Sequence, residues 1–382
     1  MPKDKRINSE IGRTAISESV RMKLWAVSGG RCEICNRLLY SDQHFGIGGN
    51  FGQLAHIHAV SVGGPRHKCG MTADEKNDIS NLMLLCADHH HLIDSNPDDY
   101  SDGLLLQRKV QHEERIRSVT EISYEQSCRI VTFFSNIDNA EIFSSENLLR
   151  AAVISSGLYA SQNPIIQLHQ DSRTRYIPSK EEFVSKAAEL ELQYKQWFDG
   201  IVKSQDTVAL FALAPEPLLF KLGTLINDQH NVKVFQCHRE GHKWAWKNTN
   251  ETVTYKFTKT VELKESANVA LVMDLSAEIK DSRIVSAIGD AIVYHITIPT
   301  PNRSFVQTEA IQDLFVPIFR QAMETIKNEN PLCKSIKVFM AMQQSLAIRA
   351  GMDYMPKADL PLILFEQSNA DEGFFEAITI GG

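Results

Sequence analysis

Cys32-Glu-Ile-Cys35 and Cys86-Ala-Asp-His89 are two pairs of metal-binding side chains. In each pair the two-residue spacing lets one turn place both donors on a single tetrahedral ion. Three thiolates and one imidazole suit a structural Zn2+. The segment between them holds Phe45-Gly-Ile-Gly-Gly-Asn-Phe-Gly-Gln53, rich in glycine and poor in core-forming residues. An ion would supply folding energy there that burial cannot. Cys69, in Arg66-His-Lys-Cys69, competes as a ligand. Around these pairs lie Ala55-His56-Ile57, Ser80-Asn81-Leu82 and His89-His90-His91-Leu-Ile-Asp94. Imidazole changes charge near neutral pH, so this region is where proton transfer and metal chemistry are expected.

The elements that must hold these residues follow from pattern. A helix is expected over Ser17–Val27 with Ser17 as its cap. The glycine-rich stretch reads as a loop or hairpin turn. Gln53–Val60 reads as a short strand, broken by Gly63-Gly-Pro. Asn81–Leu85 starts an ordered element that runs into the histidines, and a helix follows over Leu105–Val119. Residues 120–176 read as a helical connector with segments at Glu125–Ser135 and Ser145–Ser155. A helix over Ser179–Phe198 then opens an α/β unit. Its apolar runs at Thr207–Leu213, Val232–Phe235, Ala267–Leu275, Ile292–Ile298, Ile336–Met342 and Leu360–Phe365 alternate with helical ones such as Thr308–Lys327. Phe211 leads through a turn to Gly223, and Phe339 leads at the same interval to Gly351. That echo points to two related halves or to chance.

At 382 residues and 43% hydrophobic, the chain is expected to fold as two globular units. A net charge of −7 and a pI near 6.0 argue against a surface that attracts nucleic acid everywhere, though a local basic patch suffices. The N-terminus lacks a signal-peptide core, and no apolar run has the length of a membrane span. A cytoplasmic protein without a membrane partner is therefore expected. Seven cysteines fit metal ligation plus free thiols better than a disulfide framework.

Taken in order, the three histidine and asparagine pieces resemble the HNH endonuclease family, in the version ending C-x-x-H-H-x-x-hydrophobic-D. The likeness covers about residues 20–110. It implies an α+β, zinc-bound ββα-metal nuclease domain in which a β-hairpin and a helix clamp one divalent ion. His56 would be the general base, and Asn81 would hold the hairpin and orient His56 by a side-chain hydrogen bond. His90 would bind Mg2+ or another divalent ion, with Asp94 as a ligand or as the partner of a ligating histidine. Ala55 departs from the family, many members of which carry an acidic ligand there. Water and phosphate would fill the place, or else His58, His91 or Asp94. Arg31, Arg37, Arg66, Lys68 and Lys76 either contact phosphates or belong to a solvated surface.

From about Ser179 onward the chain resembles the SAVED domain, a relative of the CARF sensors that bind cyclic oligonucleotides. The resemblance rests on Phe211-Ala-Leu-Ala-Pro-Glu-Pro-Leu218, Val234-Phe-Gln-Cys-His-Arg239, Trp244-Ala-Trp246, Leu275-Ser276, Gln343–Gly351 and Pro356-Lys357. It implies an α/β domain of two Rossmann-like, CARF-related halves. The expected organisation is thus a nuclease domain at 1–119, a connector at 120–176 and a sensor domain at 177–382. Trp244 and Trp246 would stack on bases or else pack into the core or an interface, Arg239 and Lys357 would pair with phosphates, and Pro215, Ser276 and Gln343 would line the pocket. The pairing of modules resembles an effector of the cyclic-oligonucleotide-based anti-phage system, CBASS. That likeness implies activation by a cyclic di- or trinucleotide, assembly into a dimer or tetramer, and degradation of double-stranded DNA. Competing readings are a restriction-type nuclease whose second half reads DNA directly, an inert zinc module that only docks on DNA, and a nuclease that cuts RNA.

Overall fold

The computed structural model describes residues 15–42, 46–135, 144–161, 164–169, 179–199, 206–226, 230–263, 268–368 and 373–381. It divides into two compact units between Ser123 and Tyr124.

In the first unit α1 (Glu18–Val27) begins where Ser17 Oγ accepts the Val20 amide at 3.3 Å, which satisfies a first-turn donor. Gly29 and Gly30, at φ 59° and 65°, then turn the chain into the Cys32–Cys35 segment. A two-stranded antiparallel hairpin follows, formed by β1 (Gly52–His56) and, after the short α2 (Ala73–Asn77), β2 (Leu82–Cys86). All five residues of β2 are buried, because its second face packs under helices. The chain passes straight from β2 into α3 (Ala87–Ser95), and α4 (Asp102–Thr120) completes the unit. The apolar core is small, built on Leu24, Leu39, Ile57, Leu82, Leu84 and Ile93. A core of that size suits a fold that a metal staples.

The second unit opens with β3 (Ser127–Phe134), α5 (Glu146–Ser155), β4 (Tyr159–Ala160), β5 (Ile166–His169) and α6 (Lys180–Gln193). It continues through β6 (Thr207–Leu213), α7 (Glu216–Ile226), β7 (Asn231–Phe235), β8 (Lys256–Val261) and β9 (Val269–Asp274). Then come α8 (Asp281–Ile288), β10 (Ile292–Thr297), α9 (Glu309–Asp313), α10 (Phe315–Glu329) and β11 (Ile336–Ala341). The last elements are α11 (Gln344–Asp353), β12 (Leu362–Gln367) and β13 (Phe374–Ile380). One sheet runs β4-β3-β6-β7, wholly parallel, with β5 also on the β3 edge. The other runs β13-β12-β11-β9-β10-β8, parallel inside and antiparallel at both edges.

Two expectations need correction here. Glu125–Ser135 was expected as helix, yet it carries β3, which pairs along β6 from Cys128 to Phe134. An inner parallel strand is covered on both faces and shows no period-two alternation to betray it. The stretch read as a connector therefore supplies three strands to this sheet; its residues 170–176 lie outside the described ones.

α7 and α11 pack against each other, and one continuous core runs through both helices and the inner faces of both sheets. Their backbones touch. A Cβ added at Gly223 would lie 2.1 Å from Ile348 O, and one at Gly351 would lie 2.1 Å from Phe220 O. The two glycines of the sequence echo meet at this point. Phe211 stacks on Phe235 at 4.5 Å between β6 and β7, and Phe339 stacks on Phe365 at 4.5 Å between β11 and β12. Among the described residues no helix is long and apolar enough to cross a membrane.

Candidate functional sites

Glu33, one of the two residues between the cysteines of the first pair, docks them on the hairpin. Glu33 N donates to Leu84 O at 2.9 Å, and Glu33 Oε1 accepts from Leu84 N at 3.1 Å and Ser28 Oγ at 2.6 Å. Burial pushes the Glu33 carboxyl up to about 7, against the pull of the Lys109 ammonium. This docking brings Cys32 and Cys35 to the end of β2. Cys86 is the last residue of β2 and the N-cap of α3, and His89 follows in the first turn of that helix. The four donor atoms lie within 4.8 Å of one another, with Cys35 Sγ to Cys86 Sγ at 4.0 Å and Cys86 Sγ to His89 Nδ1 at 3.2 Å. Metal–sulfur and metal–nitrogen bonds of about 2.3 and 2.0 Å in a tetrahedron place donors roughly 3.4–3.8 Å apart, so the set fits Zn2+. Cys69 is exposed and stands outside this cluster.

A second histidine site lies along the hairpin and α3. His56, at the end of β1, has its Nε2 3.2 Å from Asn77 Oδ1. Asn81 was expected to orient that ring, but it holds main chain instead. Its Oδ1 accepts from His58 N at 2.9 Å, and its Nδ2 donates to His58 O at 3.1 Å and Lys76 O at 2.8 Å. Asn81 is buried and stitches the strand exit to α2; Asn77 is the side chain at the imidazole. Sequence pattern missed Asn77 because the pairing depends on how the loop over residues 57–76 closes.

On α3, His90 and Asp94 share a face by their four-residue spacing, with His90 Nε2 3.5 Å from Asp94 Oδ2. His90 Nδ1 lies 2.7 Å from Gln53 Oε1 on β1. Arg66, expected either at a phosphate or on the surface, is instead inside this site. It donates Nε to Ile57 O at 2.9 Å, Nη1 to Ile93 O at 2.7 Å and Nη2 to Asp94 Oδ1 at 3.2 Å. Ala55 is in the core at 1% exposure, so its position adds no donor. His58 has Nδ1 3.2 Å from Arg66 O and Nε2 3.9 Å from Asp102 Oδ2, and His91 is exposed. Lys76 and Arg31 donate to the carbonyls of Val60 and Asn36, Arg37 sits 3.6 Å from Asp88, and Lys68 is exposed.

In the second unit several loops converge at the carboxyl ends of strands, where parallel α/β sheets bind ligands. Leu275 N and Ser276 N both donate to Ala341 O, at 2.9 and 2.7 Å. Met342 N donates to Glu216 Oε1 at 2.8 Å, beside Pro215, and Ser345 Oγ donates to Gln236 Oε1 at 2.7 Å. Gln343 is buried. Its Nε2 donates to Asn302 O at 2.9 Å, and its Oε1 has no hydrogen-bond partner among the described residues. Arg239 is exposed on the loop after β7. These contacts tie the loops of Pro215, Ser276 and Gln343 together.

Three expected ligand residues stand elsewhere. Trp244 is 2% exposed, packs edge-on against Phe211 and donates Nε1 to Ser144 Oγ at 3.0 Å. Neither tryptophan lies on a strand, and Trp246 is partly buried beside Phe235. Lys357 lies past the far end of the ten-residue α11 from Gln343, about 15 Å of helix away.

A family model for HNH endonucleases matches residues 32–97. One for the SMODS-associated and fused to various effectors sensor domain, SAVED, matches residues 190–380. No protein with a curated description matches the chain. Similar solved structures include the Acinetobacter baumannii Cap4 SAVED/CARF-domain containing receptor with the cyclic trinucleotide 2'3'3'-cAAA, at 12% identity and a TM-score of 0.45. That match covers 81% of this chain and 65% of the receptor chain, so this chain spans under two thirds of its length. The Moraxella osloensis Cap4 SAVED/CARF-domain containing receptor matches at 10% identity and a TM-score of 0.42, over 76% of this chain and 60% of that one.

Proposed function

We infer the function from family membership: the chain belongs to the SAVED sensor-domain family and carries an HNH endonuclease module ahead of the sensor. The proposed activity is metal-dependent hydrolysis of phosphodiester bonds in double-stranded DNA. It is switched on when a cyclic di- or trinucleotide binds the sensor, as in a cytoplasmic CBASS effector. The observation that carries this reading is that the cluster of Cys32, Cys35, Cys86 and His89 closes on the hairpin and α3, the two elements that also carry His56, His90 and Asp94, in the module that the HNH model matches.

Held with its Nε2 3.2 Å from Asn77 Oδ1, the His56 ring is the proposed acceptor of a proton from the attacking water. Asn81 fixes the strand exit that carries this ring. Zn2+ on the four-donor cluster has the structural role of pinning the cysteine turn to β2 and α3. His90 and Asp94 are the donors for the catalytic ion. When bound, a divalent ion such as Mg2+ stabilises charge on the phosphate and on the leaving oxygen.

On the sensor side, Pro215, Ser276 and Gln343 line the proposed pocket, and Arg239 supplies a cation for phosphate. The buried, unpartnered Gln343 Oε1 suits a donor on a bound base. Two Rossmann-like halves are part of the proposal. They are supported by the repeated strand–helix–strand units β6-α7-β7 and β11-α11-β12 and by their matching phenylalanine stacks. Ligand-driven assembly into a dimer or tetramer would bring nuclease modules together so that both strands are cut.

The test is plasmid cleavage in Mg2+ with and without a panel of cyclic di- and trinucleotides, alongside a His56→Ala control. Cleavage with one ligand only, lost in the control, supports the reading. Cleavage without any ligand makes the protein a restriction-type enzyme, and silence with every ligand favours the inert zinc module.

A further inference from the structure

We propose that Gln53 and Arg66 are positioning residues that decide which nitrogen of His90 and which oxygen of Asp94 face the catalytic ion. This rests on the reading of His90 and Asp94 as that ion's donors. His90 has two ring nitrogens, and only an unprotonated one can ligate. Gln53 Oε1, 2.7 Å from Nδ1, accepts the Nδ1 proton, which leaves the Nε2 lone pair outward. Metal-binding histidines are commonly fixed this way by an acceptor on the other nitrogen.

Asp94 shows the same division of labour. Arg66 Nη2 takes Oδ1 at 3.2 Å, and Oδ2 is left 3.5 Å from His90 Nε2. One nitrogen and one oxygen at that separation can share a single ion of about 2.1 Å bond length. Arg66 is built to hold its place. Its side chain is 6% exposed, and its guanidinium also caps the carbonyls of Ile57 and Ile93. Its backbone sits at φ 51°, a conformation that costs a non-glycine residue energy and persists where surroundings enforce it. The guanidinium thereby links the exit of β1 to the end of α3, the two elements that flank the site.

The experiment uses the zinc-loaded full chain without other divalent ions. Histidine 15N spectra are expected to show His90 as the Nδ1–H tautomer in wild type. Gln53→Ala should lose that preference, and Gln53→Glu, which keeps the acceptor, should restore it. Mn2+ affinity read by electron paramagnetic resonance should fall about 10–100-fold in Gln53→Ala, Arg66→Ala and Arg66→Lys. Lysine keeps the charge and loses the fork that spans three acceptors. Gln53 is exposed, so its variants test the idea even where an Arg66 variant fails to fold. If wild type binds Mn2+ in a way that Asp94→Ala abolishes, yet the Gln53 and folded Arg66 variants bind equally well, the positioning roles are overturned and the ion site stands. If wild type binds no Mn2+ beyond the zinc cluster, the ion site itself is overturned, and the positioning roles with it.

Discussion

His56 and Asn81 sit close together in the first unit, yet their replacement should have opposite signatures. His56 is the proposed proton acceptor. His56→Ala should lower cleavage by about 10²–10⁴-fold with zinc content and melting temperature unchanged, read by plasmid assay and metal analysis. Asn81→Ala strands His58 N, His58 O and Lys76 O, all of which its buried amide serves. It should cost about 1–3 kcal/mol in chemical denaturation, with activity falling only as folded protein is lost. Asn77→Ala should lose roughly tenfold in rate, because it removes the acceptor beside His56 Nε2. The four-donor cluster was legible in the sequence because two-residue spacing encodes its own geometry. The partners Asn77, Gln53 and Arg66 were not, since each contact joins elements far apart in the chain. The fate of Trp244 was hidden for another reason: residue type does not distinguish a buried ring from a stacking platform.

Among the elements, the α7–α11 crossing is the least forgiving. Gly223→Ala must place a methyl group where Ile348 O stands, and Gly351→Ala where Phe220 O stands. Backbone cannot swing aside as a side-chain tip can, so either change should destabilise the second unit by at least about 1–3 kcal/mol, visible as a lowered Tm. Nearby, burial and the Glu366 charge push the Glu216 carboxyl up to about 8 from an ordinary 4.5, against the Met342 amide it accepts. A raised folded-state value means the neutral acid is favoured on folding. That contribution is complete below about 4.5 and is lost as pH rises through about 8. Glu216→Gln keeps an oxygen for Met342 N and cannot ionise. It should match wild type near pH 5 and melt at a higher temperature above pH 8. Most strands of this unit could be read from β-branched runs, whereas β3 was masked by its double-sided burial and the antiparallel edge strands β8 and β13 by their mixed polarity.

For the whole molecule, stability should divide as the contacts do. The first unit has a small core with a four-donor cluster, and the second has a large continuous core without one among the described residues. Removing zinc with a strong chelator should melt the first unit and leave the second folded. Calorimetry would then lose one of two transitions, and a single joint loss would contradict that division. The glycine contact between α7 and α11 has a mechanical corollary inside the second unit. Helices that meet through side chains must repack to move, because interlocked cores have discrete arrangements. Helices that meet backbone to backbone at one point have nothing there to disengage. A rotation about that point would be amplified with distance, and its lever arms would end at the loops of Pro215 and Gln343.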